Sequence, residues 1–145
     1  MLKANFEKYT LHFKRPSGTS RGVMTTKDSW FIEIYESENP KKIGKGECGL
    51  LKGLSFDDVP HYEEKLKEVC QNIQQYALNY HESLVDFPSI RMGLEMALLD
   101  LKSDEEFVYF NNDFTQGKKG IPINGLIWMG SPDFMKAQIV VKIYH

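Results

Sequence analysis

Gly44-Lys45-Gly46-Glu47-Cys48-Gly49 is the stretch of this 145-residue chain whose spacing comes nearest to a chemical device, since it matches G-x-G-x-x-G. In a dinucleotide-binding loop such glycines follow an apolar strand and open a helix, whose N-terminus receives the pyrophosphate. Here Pro40-Lys41-Lys42 precedes the stretch, and Leu50-Leu51-Lys52-Gly53 intervenes before any cap residue. The reading that fits is a strand whose glycines let another backbone approach closely. Other candidates also fail on spacing. His12, His61, His81 and His145 are scattered, with no pair at metal-ligand separation. Asn111-Asn112-Asp113 begins like a calcium loop, but Pro122 stands where the closing Glu would be needed. Asp57-Asp58 reads as a helix start that complements the macrodipole. No nucleophile elbow and no Gly-Lys-Ser/Thr phosphate loop occurs. Residue types and spacing thus assign no catalytic residue and no metal ligand.

Composition narrows the class. Hydrophobic residues at 41% and charged residues at 26% are those of a soluble globular protein. A net charge of -2 argues against nucleic acid or an anionic membrane as the main partner. No apolar run approaches the ~20 residues of a membrane span, and the N-terminus lacks the apolar stretch of a secretory signal. Cys48 and Cys70 are therefore expected as reduced thiols of a cytoplasmic protein.

The elements follow from periodicity. Tyr9, Leu11 and Phe13 alternate with Thr10 and His12, and Trp30, Ile32 and Ile34 alternate with Phe31, Glu33 and Tyr35, a strand with substance on both faces. Residues 16–22 (Pro-Ser-Gly-Thr-Ser-Arg-Gly) should break the first pattern as a loop. With residues 43–51 as a third extended segment, an antiparallel meander is expected, covered by helices on its apolar face. Ser55 or Asp57 can cap one continuous helix carrying Tyr62, Leu66, Val69, Ile73 and Tyr76 as a stripe. The next helix, from Pro88 to Lys102, is apolar nearly all round, so it should be buried on more than one side. Residues 121–129 read as a strand covered on both faces, and Ser131-Pro132-Asp133 opens a helix directly after it. That pair is the first half of a β-α-β unit. The fold class is α+β, with residues 1–112 as one domain and residues 113–145 as the unfinished start of another. Both the over-apolar helix and the half unit ask for a second body.

Three segments in order resemble the N-terminal capping domain of the enolase superfamily, in its muconate-lactonizing subgroup. They are Gly44-Lys45-Gly46-Glu47-Cys48, the helix from Arg91 to Leu101 with its Glu-x-Ala-x-x-Asp, and Ile121-Pro122-Ile123-Asn124-Gly125-Leu126. Residues 13–22 and 48–55 look most like o-succinylbenzoate synthases of the Bacteroidetes type, though dipeptide epimerases and N-acylamino-acid racemases share the scaffold. The resemblance implies a cap over the mouth of a TIM barrel whose first strand and helix alone are present. It implies a substrate-facing role for Ser17, Thr19, Ser20 and Arg21 on one loop and for Leu50 and Leu51 on another. Arg21 would meet a carboxylate of a small-molecule substrate, and the two leucines would form an apolar wall. In the family, lysines and acidic Mg²⁺ ligands on later barrel strands abstract a proton beside a carboxylate and hold the enediolate. None of those residues is matched here, so no cofactor is expected in this chain and the chain alone is expected to be inactive. A free-standing binding module, with the apolar helix covered by a second copy, is the reading of a different class.

Overall fold

The structure is a computed structural model that describes residues 1–19 and 22–143; of the expected site residues, Ser20 and Arg21 lie outside the described residues. Its elements are β1 (Leu2–Thr19), β2 (Gly22–Glu36), β3 (Asn39–Cys48), α1 (Tyr62–Gln71), α2 (Ile73–Ser83), α3 (Pro88–Lys102) and α4 (Pro132–Ile143). The three strands form one sheet in the order β1-β2-β3. The chain divides into two compact units, one of Met1–Leu11 and Lys27–Asn111, the other of His12–Thr26 and Asn112–His145.

In the first unit, alternation holds on β2, whereas Tyr9 and Leu11 of β1, also expected on an apolar face, are exposed. Trp30, Ile32 and Ile34 of β2 are buried, and the residues between them are half-buried. The antiparallel register sets Ile32 opposite Gly46 and Ile34 opposite Gly44. Large side chains on β2 thus face bare backbone on β3, leaving a trough along the covered face. α3 lies in it. A Cβ on Gly46 would stand 1.9 Å from the Gly93 carbonyl oxygen, and one on Gly44 would stand 2.1 Å from that of Ala97. These glycines exist for a backbone-to-backbone contact, with Gly93 and Ala97 as the matching small residues on the helix.

Four expectations need correction. The loop expected over residues 16–22 is strand as far as Thr19, because β1 is an edge strand, where Pro16 costs no ladder bond. The continuous helix after Ser55 is two helices. Asn72 sits at φ -112°, ψ 32°, outside helical geometry, and its side-chain amide donates to the Glu68 carbonyl at 3.0 Å. Neither Ser55 nor Asp57 caps α1, whose N-cap position is His61. Ser55 Oγ instead accepts the Leu51 N–H at 2.8 Å, and Asp57 serves α3. Residues 121–129 carry no strand assignment among the described residues, and Ile121, Ile123, Leu126 and Met129 are exposed. A strand needs a neighbouring strand for its ladder, and the sheet of the described residues consists of β1, β2 and β3 without this run.

α3 buries one face through Ile90, Gly93, Leu94, Ala97 and Asp100. Met92 on the other side is 54% exposed, and Met96 and Leu99 are half-buried, so the second face expected to be covered is open among the described residues.

The cysteines are free. Burial pushes the Cys70 thiol up to about 11 from 9.0, and Cys48, fully buried, is raised further. Native-state labelling with a thiol reagent near pH 8 should therefore proceed about a hundredfold more slowly than in denaturant, since each unit of pKa removes tenfold in thiolate. Equal rates in the two conditions would contradict the burial of both side chains.

Candidate functional site

Each unit has one region near the described members of the expected site residues: Ser17 and Thr19 belong to β1 in the second unit, and Leu50 and Leu51 to the first. In the second unit, Phe13, Lys14 and Arg15 of β1 line a cavity of about 490 Å³ with Trp128, Phe134 and Gln138. Residues 121–130 are held here through side chains rather than a ladder. Gln138 Oε1 accepts the Trp128 N–H at 2.8 Å, and Gln138 Nε2 donates to the Trp128 carbonyl at 2.9 Å. The amide of one side chain from α4 thus imitates a neighbouring strand. The Trp128 indole N–H donates to the Pro16 carbonyl at 3.2 Å. Gly18 lies against Met129, where an added Cβ would meet the methionine methyl at 3.3 Å. The Arg15 guanidinium stands 5.4 Å from the centre of the Phe134 ring, in cation–π range.

This cavity has aromatic walls and two cations, with no nucleophile and no carboxylate lining it. Such a site can hold an organic anion by apolar contact and charge, and it cannot by itself break a bond. Ser17 is half-buried beside it in the sequence, and Thr19 ends β1. The sequence reading did not find Arg15, Trp128 or Gln138, because Trp128 and Pro16 are 112 positions apart and no short motif joins them.

In the first unit, Leu50 is 4% exposed and belongs to the core, whereas Leu51 is half-buried. The segment after β3 is closed by its own hydrogen bonds. The Ser55 N–H reaches the Leu51 carbonyl at 2.8 Å, and the Gly53 N–H, at φ 73°, reaches Asp58 Oδ2 at 2.6 Å. At the root of this turn, Lys27 Nζ donates to Glu47 Oε1 at 2.9 Å and to Ser29 Oγ at 2.7 Å, and Ser29 Oγ donates to Glu47 Oε1 at 2.7 Å. The hydrogen bond from Lys27, then that from Ser29, hold the Glu47 carboxyl below its ordinary range against the opposing effect of burial. A depressed carboxylate stabilises the fold above its unfolded pKa and loses that contribution as pH falls through the folded value. Between about pH 6 and about pH 3, the parent should lose stability more steeply than Glu47→Gln, as read from urea midpoints. Parallel curves would remove Glu47 from the acid response.

Among the described residues, no group of three or more His, Cys, Asp or Glu could hold a metal ion. The Mg²⁺ of the resembling family therefore has no fitting donor set among them. No helix of the described residues is long and apolar enough to cross a membrane.

The meander and its covering helices define a class by fold: the chain has the fold of the N-terminal part of enolase-family structures, and in sequence it is similar to an o-succinylbenzoate synthase. The relative that it matches is the o-succinylbenzoate synthase of Desulfotalea psychrophila, 35% identical over 173 aligned positions that take in 98% of this chain and 46% of that protein. The chain thus spans about half the length of the curated relative it matches. No family model matches it. Among solved structures, an enolase family member from Agrobacterium tumefaciens with homology to dipeptide epimerases, solved with sodium and L-Ala-L-Glu, superposes at a TM-score of 0.55, with 20% identity over 95% of this chain and 42% of that one. A mandelate racemase/muconate lactonizing protein from Herpetosiphon aurantiacus gives 0.51, with 17% identity over 68% of this chain and 29% of that one. At such identities these two establish the fold alone.

Proposed function

We propose that this chain is the substrate-covering part of an o-succinylbenzoate synthase-type enzyme, a Mg²⁺-dependent carbon–oxygen lyase of menaquinone synthesis in the cytoplasm. The 35% identity across nearly the whole chain carries the reading. The aromatic cavity with Lys14 and Arg15 supports it, because a cap that selects a carboxylate substrate needs apolar walls and positive charge. The exposed Met92, with Met96 and Leu99 only half-buried on the same side, supports it as well, since a helix this apolar needs a second packing surface. Substrate contacts fall to Ser17, Thr19, Ser20, Arg21 and Leu51, with Leu50 backing Leu51 from the core. Proton abstraction and the metal belong to a barrel, and the 145 residues alone are without turnover.

A chimaera tests this. These residues replace the matching part of the Desulfotalea psychrophila synthase, and o-succinylbenzoate formation is followed with Mg²⁺. The chimaera should retain synthase activity, and Arg21→Ala within it should raise KM about tenfold or more with a smaller change in kcat, as loss of a charge-assisted contact made by bound substrate. A chimaera that folds but only epimerises dipeptides moves the assignment to that activity. Turnover by the 145-residue chain alone would overturn the division of labour.

A further inference from the structure

α3 stops at Lys102, yet the bonds that tie the chain to the first unit continue for another turn. Asp100 is 4% exposed, and each of its carboxylate oxygens takes a backbone N–H from a different segment. Oδ2 accepts from Lys45 N in β3 at 2.9 Å, and Oδ1 accepts from Phe107 N at 2.6 Å. Ser103 Oγ lies 2.6 Å from the Val108 carbonyl and 2.8 Å from that of Glu105, and Val108 N–H donates to Glu105 O at 3.1 Å. Lys45 adds its side chain, with Nζ 2.8 Å from Glu106 Oε1 and 5.8 Å from the centre of the Phe107 ring. Phe107 has φ 62°, the left-handed region that strains a residue with a Cβ. Backbone strain of that kind persists only where its surroundings over-determine it. Here the Asp100 bond and the Lys45 clasp do so.

A polar stretch after an apolar helix would ordinarily be the place where a chain becomes free. We infer that Asp100 and Ser103 bind residues 103–108 to α3 and β3 as one rigid piece, so that the chain following α3 gains its freedom only beyond Val108. Asp100 is the right residue type for this. A carboxylate offers two acceptors and no donor, so it can join two N–H groups from different segments. An asparagine would point its own N–H₂ at one of them.

Amide hydrogen exchange by NMR on the whole chain, together with limited trypsin digestion, tests the inference. In the parent, the Lys45 and Phe107 amides should exchange at least tenfold more slowly than the amides of the exposed Ile121 and Ile123, and trypsin should cut at Lys118 and Lys119 before Lys102. Asp100→Asn should speed exchange at Lys45 or Phe107 about tenfold or more and open Lys102 to cleavage, with the α1 and α2 amides unchanged. If that variant loses its fold, Ser103→Ala decides. It leaves the buried carboxylate in place, and it should still expose Lys102 and speed Phe107. A parent cut first at Lys102, a Phe107 amide as fast as those of Ile121 and Ile123, or a folded Ser103→Ala variant identical to the parent would each overturn it.

Discussion

Gly46→Ala should lower the free energy of unfolding by about 3 kcal/mol, as read from urea midpoints, because overpacking against backbone leaves nothing to move aside. The new Cβ would stand 1.9 Å from the Gly93 oxygen and 2.8 Å from the Ala97 nitrogen. Both are main-chain atoms of α3, so relief requires the helix to lift off the sheet and uncover Ile32 and Ile34. Two other glycines calibrate the result. A Cβ on Gly49 would meet only Lys27 Nζ at 3.7 Å and Glu47 Oε1 at 3.8 Å, so Gly49→Ala should change stability by about 0.5 kcal/mol or less. Gly53 has open space around it but φ 73°, so Gly53→Ala should cost about 1 kcal/mol through backbone strain alone. A Gly46→Ala loss no larger than that of Gly53→Ala would mean that α3 does not sit in the trough.

Asp57→Ala should be nearly as damaging, at about 3 kcal/mol, although no residue of α1 needs it. Its carboxylate is 1% exposed and its Oδ2 accepts both the Ser89 N–H at 2.8 Å and the Ser89 hydroxyl at 2.6 Å. Ser89 is the second residue of α3, whose N-cap position, Phe87, has no side-chain cap to offer. A negative group from a distant loop thus satisfies the first turn and complements its dipole. Truncation leaves a buried N–H without its acceptor, the costly direction in which to break a hydrogen bond. Asp57→Asn keeps one acceptor oxygen and should lose about half as much, so the ratio of the two variants separates the acceptor from the charge. Equal losses would assign the whole effect to charge.

The meander was legible because burial on β2 has a period of two, and the helix from Pro88 was legible from its proline and its apolar density. The glycines of β3 were rightly taken as a site of close approach, since their flanks excluded a phosphate loop. What could not be read was anything fixed by partners far along the chain. Asp57 looks like a local cap by spacing and caps a helix 32 positions away. Asn72 breaks an unbroken apolar stripe, because the stripe records which side faces the core and says nothing of where the backbone turns. Residues 121–129 have the apolar content of a buried strand, but strand geometry needs a partner that composition does not name. The candidate cavity was hidden for the same reason: Arg15 and Trp128 announce nothing until the fold brings them together.

The glycine track between β3 and α3 also has a mechanical side. Side chains at an interface act as cushions, since they change rotamer and absorb small displacements before the backbone moves. At Gly44, Gly46 and Gly93 there is no such cushion, and main chain rests on main chain or on the Cys48 sulfur. Sliding α3 along its axis would at once press its carbonyls into β3, so the pair should behave as a stiff plate rather than as two elements in sprung contact. A push delivered to the open Met92 side of α3 would reach the buried isoleucines of β2 almost undiminished.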